Sequence, residues 1–199
     1  MFISLTGFNQ NNYVIKPGNY DEMLDLSYDK KSGIISGIIA TSNNGNTPRI
    51  SCSLIFKSSP QTKMAGPNKY PVGFYNEGDT AEAGQGYIEI KNNGVDVKCN
   101  GTFSSCQNLI DLGGETGWFF EFTTAKPFIS ANIISNANAS IYKTASDTAK
   151  TKMYLIKNNF ISIITIKDNW VSFEYMNPSG KRIKGWLKKE DIALRLNTK

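Results

Sequence analysis

The apolar residues of this chain recur in short runs with a period of two, and the runs are closed by glycine, asparagine and proline. Leu24, Leu26 and Tyr28 alternate with Asp25 and Ser27, and Ile50, Cys52, Leu54 and Phe56 alternate with polar residues. Side chains point to opposite faces of a strand in turn, so this pattern belongs to half-buried strands with one dry and one wet face. Thr, Ser, Asn, Gly and β-branched residues are abundant, which favours strands and turns over helices. An all-β fold is expected.

The first strong strand is expected over residues 20–28 and the second over 33–40, joined as a hairpin by the turn at 29–33. Further strands are expected at 50–56, 70–76, 85–91, 95–98 and 117–123, with Asn93-Gly94 as a tight turn between two of them. This meander predicts an N-terminal antiparallel β-barrel or sandwich over residues 1–135. The aromatic run from Trp118 to Phe122 has two faces, one for the barrel core and one for a second domain. Residues 124–138 join the parts without a long Gly/Pro/Ser linker, so the two are expected to pack closely. Residues 136–199 form the second domain.

Charge divides the chain in the same place. Residues 131–199 hold 12 Lys/Arg against 5 Asp/Glu, whereas residues 1–130 hold 10 against 12. Lys181, Arg182, Lys184, Lys188 and Lys189 cluster near the end, as a solvated face or as an attractant for an acidic partner. No aromatic–basic RNA motif or DNA-reading helix accompanies them, so no nucleic-acid partner is expected. Histidine is absent, which excludes a Ser-His-Asp triad, a Cys-His pair and any His-bearing zinc site. No metal or cofactor is expected. Cys99 and Cys106 could close a small disulfide loop, Cys52 could pair with either, and buried free thiols are the alternative. No run approaches the ~20 apolar residues of a membrane span. Residues 1–7 lack the basic and apolar regions of a signal peptide.

The C-terminal stretch from Ala139 to Leu196 carries Asn169-Trp170-Val171, then Gly185-Trp186-Leu187 and Asp191-Ile192. With an exposed loop at 144–148 and a hairpin loop at 177–180, this spacing resembles a bacterial SH3 domain. The resemblance implies a five-stranded SH3-like barrel that binds cell-wall peptides, proteins or its own neighbour. Ala-Ser-Ile-Tyr-Lys at 139–143 and Gly-Trp-Leu-Lys at 185–188 depart from the proline-recognition pattern of eukaryotic SH3 domains. In the first part, Gly18-Asn-Tyr20 opening a strand, and Ile-Ser-Gly in the next, resemble calycin-type bacterial envelope proteins. Barrels of that type paired with such an SH3 domain resemble periplasmic or lipoprotein-type proteins, including antibacterial immunity factors.

Together these readings predict a non-enzymatic recognition protein of the periplasm or cell envelope, bound to a protein or peptidoglycan peptide. Aromatics are enriched in binding hot spots, so Tyr142, Trp170 and Tyr175, which could share one surface, are partner-binding candidates together with Lys181 and Arg182; for Tyr175 the alternative is a core or domain-interface position. A sharper form is an immunity or inhibitor protein that plugs an enzyme through loop 57–69 or 76–86. The alternatives are a small-ligand carrier in the first barrel and a carboxylate-based cell-wall hydrolase using Glu77, Asp79 and Glu82.

Overall fold

The computed structural model describes residues 13–42, 51–59, 66, 68–76, 82–101, 106 and 109–193. The fold is all-β. Eight strands close a barrel: Gly18–Tyr20 (β1), Leu24–Asp29 (β2), Ile34–Ser42 (β3), Ser51–Lys57 (β4), Lys69–Asn76 (β5), Gly84–Ile90 (β6), Gly94–Cys99 (β7) and Trp118–Ala125 (β8). Each strand pairs antiparallel with the next, and β8 returns to β1. Closure leaves the barrel without a free edge.

The remaining strands form a seven-stranded sheet, where the resemblance to a bacterial SH3 domain implies five strands. They are Ser130–Ile134 (β9), Asn138–Tyr142 (β10), Lys150–Ile156 (β11), Phe160–Lys167 (β12), Trp170–Met176 (β13), Arg182–Lys188 (β14) and Ile192–Ala193 (β15), in the order β11-β10-β14-β13-β12-β9-β15. Single 3-10 turns lie at Asp147–Ala149 and Lys189–Asp191. β9 pairs with β12 and β15, so the second sheet begins at Ser130, within residues the sequence reading places in the first unit.

The run 20–28 is two strands rather than one. The Met23 N–H donates to the Tyr20 carbonyl at 3.0 Å, and both residues between them are left-handed, Asp21 at φ 48° and Glu22 at φ 58°. This is the geometry of a primed hairpin turn, normally built on Asn-Gly, so Asp-Glu conceals it. Asp21 is anchored there, since its carboxylate accepts the Glu121 N–H at 2.9 Å and its own N–H meets Thr123 Oγ1 at 3.0 Å.

The inward face of each barrel strand builds one apolar cluster that fills the lumen, with Leu24, Leu26, Ile35, Leu54, Phe56, Phe74, Ile88, Val97 and Phe120 fully buried. The aromatic run of β8 turns inward at Phe120, while Trp118 and Phe122 pack against the same cluster and Phe119 is exposed. The second face expected to meet the other domain therefore faces solvent at Phe119. β6 and β7 approach so closely that a Cβ on Gly86 would lie 1.8 Å from the Lys98 carbonyl oxygen. The disulfide joins Cys52 to Cys106, not Cys99 to Cys106. Cys99 ends β7 opposite Gly86, and its thiol is free, buried and receives the Gly101 N–H at 3.3 Å.

The second sheet has its own core on one face, including Ile141, Leu155, Ile161, Ile163, Val171, Phe173 and Leu187. Its other face meets the outside of the barrel. Ile38, Ile55 and Tyr75 from β3, β4 and β5 pack with Ala131, Ile133 and Phe160 from β9 and β12. Hydrogen bonds stitch the same seam, from Ala131 N–H to Ser36 Oγ at 2.9 Å and from Tyr28 N–H to the Phe128 carbonyl at 3.2 Å.

Two outcomes follow from this packing. Gly86→Ala pits a Cβ against backbone, and urea unfolding is expected to show a loss of about 2 kcal/mol or more. An unchanged midpoint would refute the close approach. Burial pushes the Cys99 thiol up to about 11. Iodoacetamide at mildly alkaline pH is thus expected to leave the folded protein unlabelled and to modify one cysteine, Cys99, after denaturation without reductant.

Candidate functional site

The hairpin β13–β14 carries most of the candidate residues, and its register decides where each one goes. Trp170 stands opposite Lys188, Ser172 opposite Trp186, Glu174 opposite Lys184 and Met176 opposite Arg182. Val171 and Phe173 alternate with these and enter the sheet's own core, with Tyr175 packed against it. The outward face therefore runs from an aromatic end at Trp170 and Trp186 to an ionic end at Glu174 and Arg182.

At the ionic end, Arg182 joins the two sheets. Its Nη1 donates to Asp25 Oδ1 at 3.0 Å and Oδ2 at 3.1 Å, and to Glu174 Oε1 at 2.9 Å. Asp25 belongs to the barrel strand β2, and is also bonded by Asn19 Nδ2 and, at 3.1 Å, by Ser162 Oγ of β12. Glu174 is fully buried, with Lys184 Nζ 3.3 Å and Lys126 Nζ 3.7 Å from its other oxygen. Burial raises Asp25 above the ordinary carboxylate range, and the charge and hydrogen bonds of Arg182 pull against that rise. The residues Asp25 and Ser27, read from the alternation as a wet face, are buried beneath the second sheet.

Beside this network a cleft of about 530 Å³ opens at the junction, outside the barrel lumen. The barrel lines it with Asp21, Glu22 and Thr123, and the second sheet with Tyr175, Asn177 and Arg182. Junctions of this kind are common positions for ligand sites.

At the aromatic end, the Tyr142 and Trp170 rings meet edge-on with centroids 4.8 Å apart. Lys188 Nζ lies 4.6 Å from the Trp170 centroid and pairs with Asp147 from the 3-10 turn of the preceding loop. The hydrogen bond to Asp147 pushes the Lys188 ammonium upward, so its charge is secure at neutral pH. Trp186 faces Tyr142 across β10–β14. A ring held between an aromatic edge and a cation is a rigid platform with its orientation fixed in advance.

The three aromatic candidates thus do not share one surface. Tyr142 and Trp170 stand together, Tyr175 and Arg182 line the cleft, and Lys181 is exposed on the 177–181 turn. Trp170 and Tyr175 are an odd number of residues apart on one strand, which alone puts them on opposite faces. Asp25 and Glu174 were missed as members of the site. Their signal was the neighbouring pair Ile38-Ile39, which makes β3 apolar on both faces.

Of the expected carboxylate set, Glu77 and Asp79 lie outside the described residues and Glu82 is exposed. Residues 60–65 and 67 of loop 57–69, and residues 77–81 of loop 76–86, lie outside them as well. Among the described residues no His/Cys/Asp/Glu group suited to a metal ion occurs, and no helix is long and apolar enough to cross a membrane. Comparison with protein-family models, curated proteins and solved structures returns no match.

Removing Arg182 takes from buried Asp25 its one cationic partner among the described residues and from buried Glu174 one of three. Arg182→Met is expected to destabilise the fold by about 3 kcal/mol at neutral pH. Asp25 has a raised folded-state pKa, so its contribution is favourable below the carboxylate range and lost as pH rises through that pKa. The deficit of Arg182→Met should therefore shrink on acidification toward the carboxylate range, read by chemical denaturation at several pH values. A deficit independent of pH would refute the coupling.

Proposed function

We propose that this chain is a non-catalytic recognition protein of the bacterial cell envelope, and that its second sheet is an SH3-like module that engages a protein or a cell-wall peptide. The observation that carries this reading is the preset arrangement at the start of β13, where half-buried Trp170 is held between the buried Tyr142 ring and Lys188. Rigid aromatics bring large contact area at small entropic cost, and a fixed cation beside them selects the partner's charge.

Other features support it. The order of a loop with a 3-10 turn at Asp147–Ala149, the meander β12–β13–β14, a second 3-10 turn at Lys189–Asp191 and the short β15 suits an SH3-like module. The Cys52–Cys106 disulfide suits an oxidising compartment such as the periplasm. A lumen filled by Phe56, Phe74 and Phe120 weighs against a carrier role for the first barrel. An inhibitor or immunity protein is the sharper form of the same reading, with a one-to-one complex as its mark.

The test is retention of material from the envelope fraction of the source cell, and of purified sacculi, by the full chain and by Trp170→Ala. The parent is expected to hold a stoichiometric partner or the sacculi, and Trp170→Ala to lose it at least about tenfold while keeping its melting temperature. Equal retention by both proteins, or none by either, would overturn the proposal.

A further inference from the structure

The edge of the second sheet has an unusual composition for a free edge. β11 ends the sheet, with β10 on one side and no strand on the other among the described residues. Three large apolar side chains are exposed on it, Met153 at 50%, Tyr154 at 58% and Ile156 at 53%. Leu155 is the one residue of the strand that is buried. An edge strand presents unpaired N–H and C=O groups, and natural sheets normally keep apolar side chains off it. Its backbone and side chains are both suited to receiving another strand.

Charge determines which strand. Lys150 and Lys152 lie in β11, Lys157 follows it, and residues 148–167 contain no acid. Lys150, Lys152 and Lys157 are all exposed, and none is in an ion pair among the described residues. Pairing β11 with a second copy would gather these lysines from both chains along one seam, which like-charge repulsion opposes. An acidic strand would be drawn in by the same lysines. Tyr154 stands opposite Ser140 on β10, next to the strand that supplies Tyr142 to the aromatic platform. A segment laid on β11 would thus sit beside that platform.

We propose that β11 binds its partner by strand addition, and that the partner supplies an extended segment carrying acidic and apolar residues on both of its faces. On one face the apolar residues cover Tyr154 and Ile156 and an acid meets Lys152; on the other they cover Met153 and an acid meets Lys157. This rests on the recognition reading and specifies how the partner is held.

The probe is a synthetic peptide of about eight residues repeating Glu-Glu-Val-Val, which puts both residue types on each face of a strand, titrated into the full chain, with a Lys-Lys-Val-Val peptide as control. Calorimetry gives affinity, and amide hydrogen exchange locates the contact. The glutamate peptide is expected to bind, to slow exchange within β11, and to weaken about tenfold with Lys150→Glu/Lys152→Glu, an exposed pair whose reversal leaves folding intact. Binding should also weaken as salt is raised. No binding at about 1 mM, equal binding of both peptides, protection confined to residues away from β11, or a concentration-dependent dimer would each overturn the proposal. Retention of the natural partner separates the two readings. If Trp170→Ala loses it and the lysine reversal does not, strand addition fails and recognition through the platform stands. If neither variant loses it, both readings fail.

Discussion

One guanidinium, that of Arg182, bridges a carboxylate from the barrel and a carboxylate from the second sheet. Asp25 and Glu174 are both buried, and neither charge could remain there alone. Arg182 meets the two acids from a single nitrogen, and its planar fork reaches them without leaving the end of β14. Once this bridge forms, the position of the hairpin β13–β14 against β2 is set, and with it the cleft beside them.

The apolar seam around the bridge explains why the charges are tolerated. Ile38, Ile55 and Tyr75 on one side and Ala131, Ile133 and Phe160 on the other exclude water from the junction. The same exclusion raises Asp25 and makes its pairing matter more. Covering stops part-way along the hairpin. Glu174 is under the barrel, whereas Trp170 four residues earlier is half-buried and Lys188 opposite it reaches solvent. A single sheet face is therefore a structural joint at one end and an open surface at the other.

Strand positions were legible because the inward face of a barrel strand must be apolar, and that period survives in Leu24, Leu26 and Phe56 whatever else the strand does. The outward face carries no such rule. Asp25 and Ser27 look the same in sequence whether water or another sheet covers them, so the joint was invisible from β2 alone. The break at Asp21-Glu22 was hidden because its left-handed residues are neither glycine nor asparagine. Cysteine spacing says nothing about barrel closure, which brings Cys52 to Cys106 across 54 residues and leaves the nearer Cys99 free. At the candidate site the pair Tyr142 and Trp170 was legible, whereas joining Tyr175 to it disregarded strand parity.

Parity and pairing also change the meaning of the chain's positive charge. In the sequence it is densest at residues 181–189, where five basic residues cluster. In the fold, Arg182 and Lys184 neutralise Glu174, and Lys188 is held by Asp147. Charges spent on such pairs offer little field to an approaching partner. The lysines of β11 and Lys157 have no acid beside them among the described residues, and they flank the most exposed apolar strand of the sheet. Part of the surface potential available for steering thus lies at the sheet edge, tens of residues upstream of a cluster in which only Lys181 and Lys189 are in no ion pair among the described residues. Where acids are buried in the fold, the density of basic residues along the chain measures structural need as much as it measures affinity for a partner.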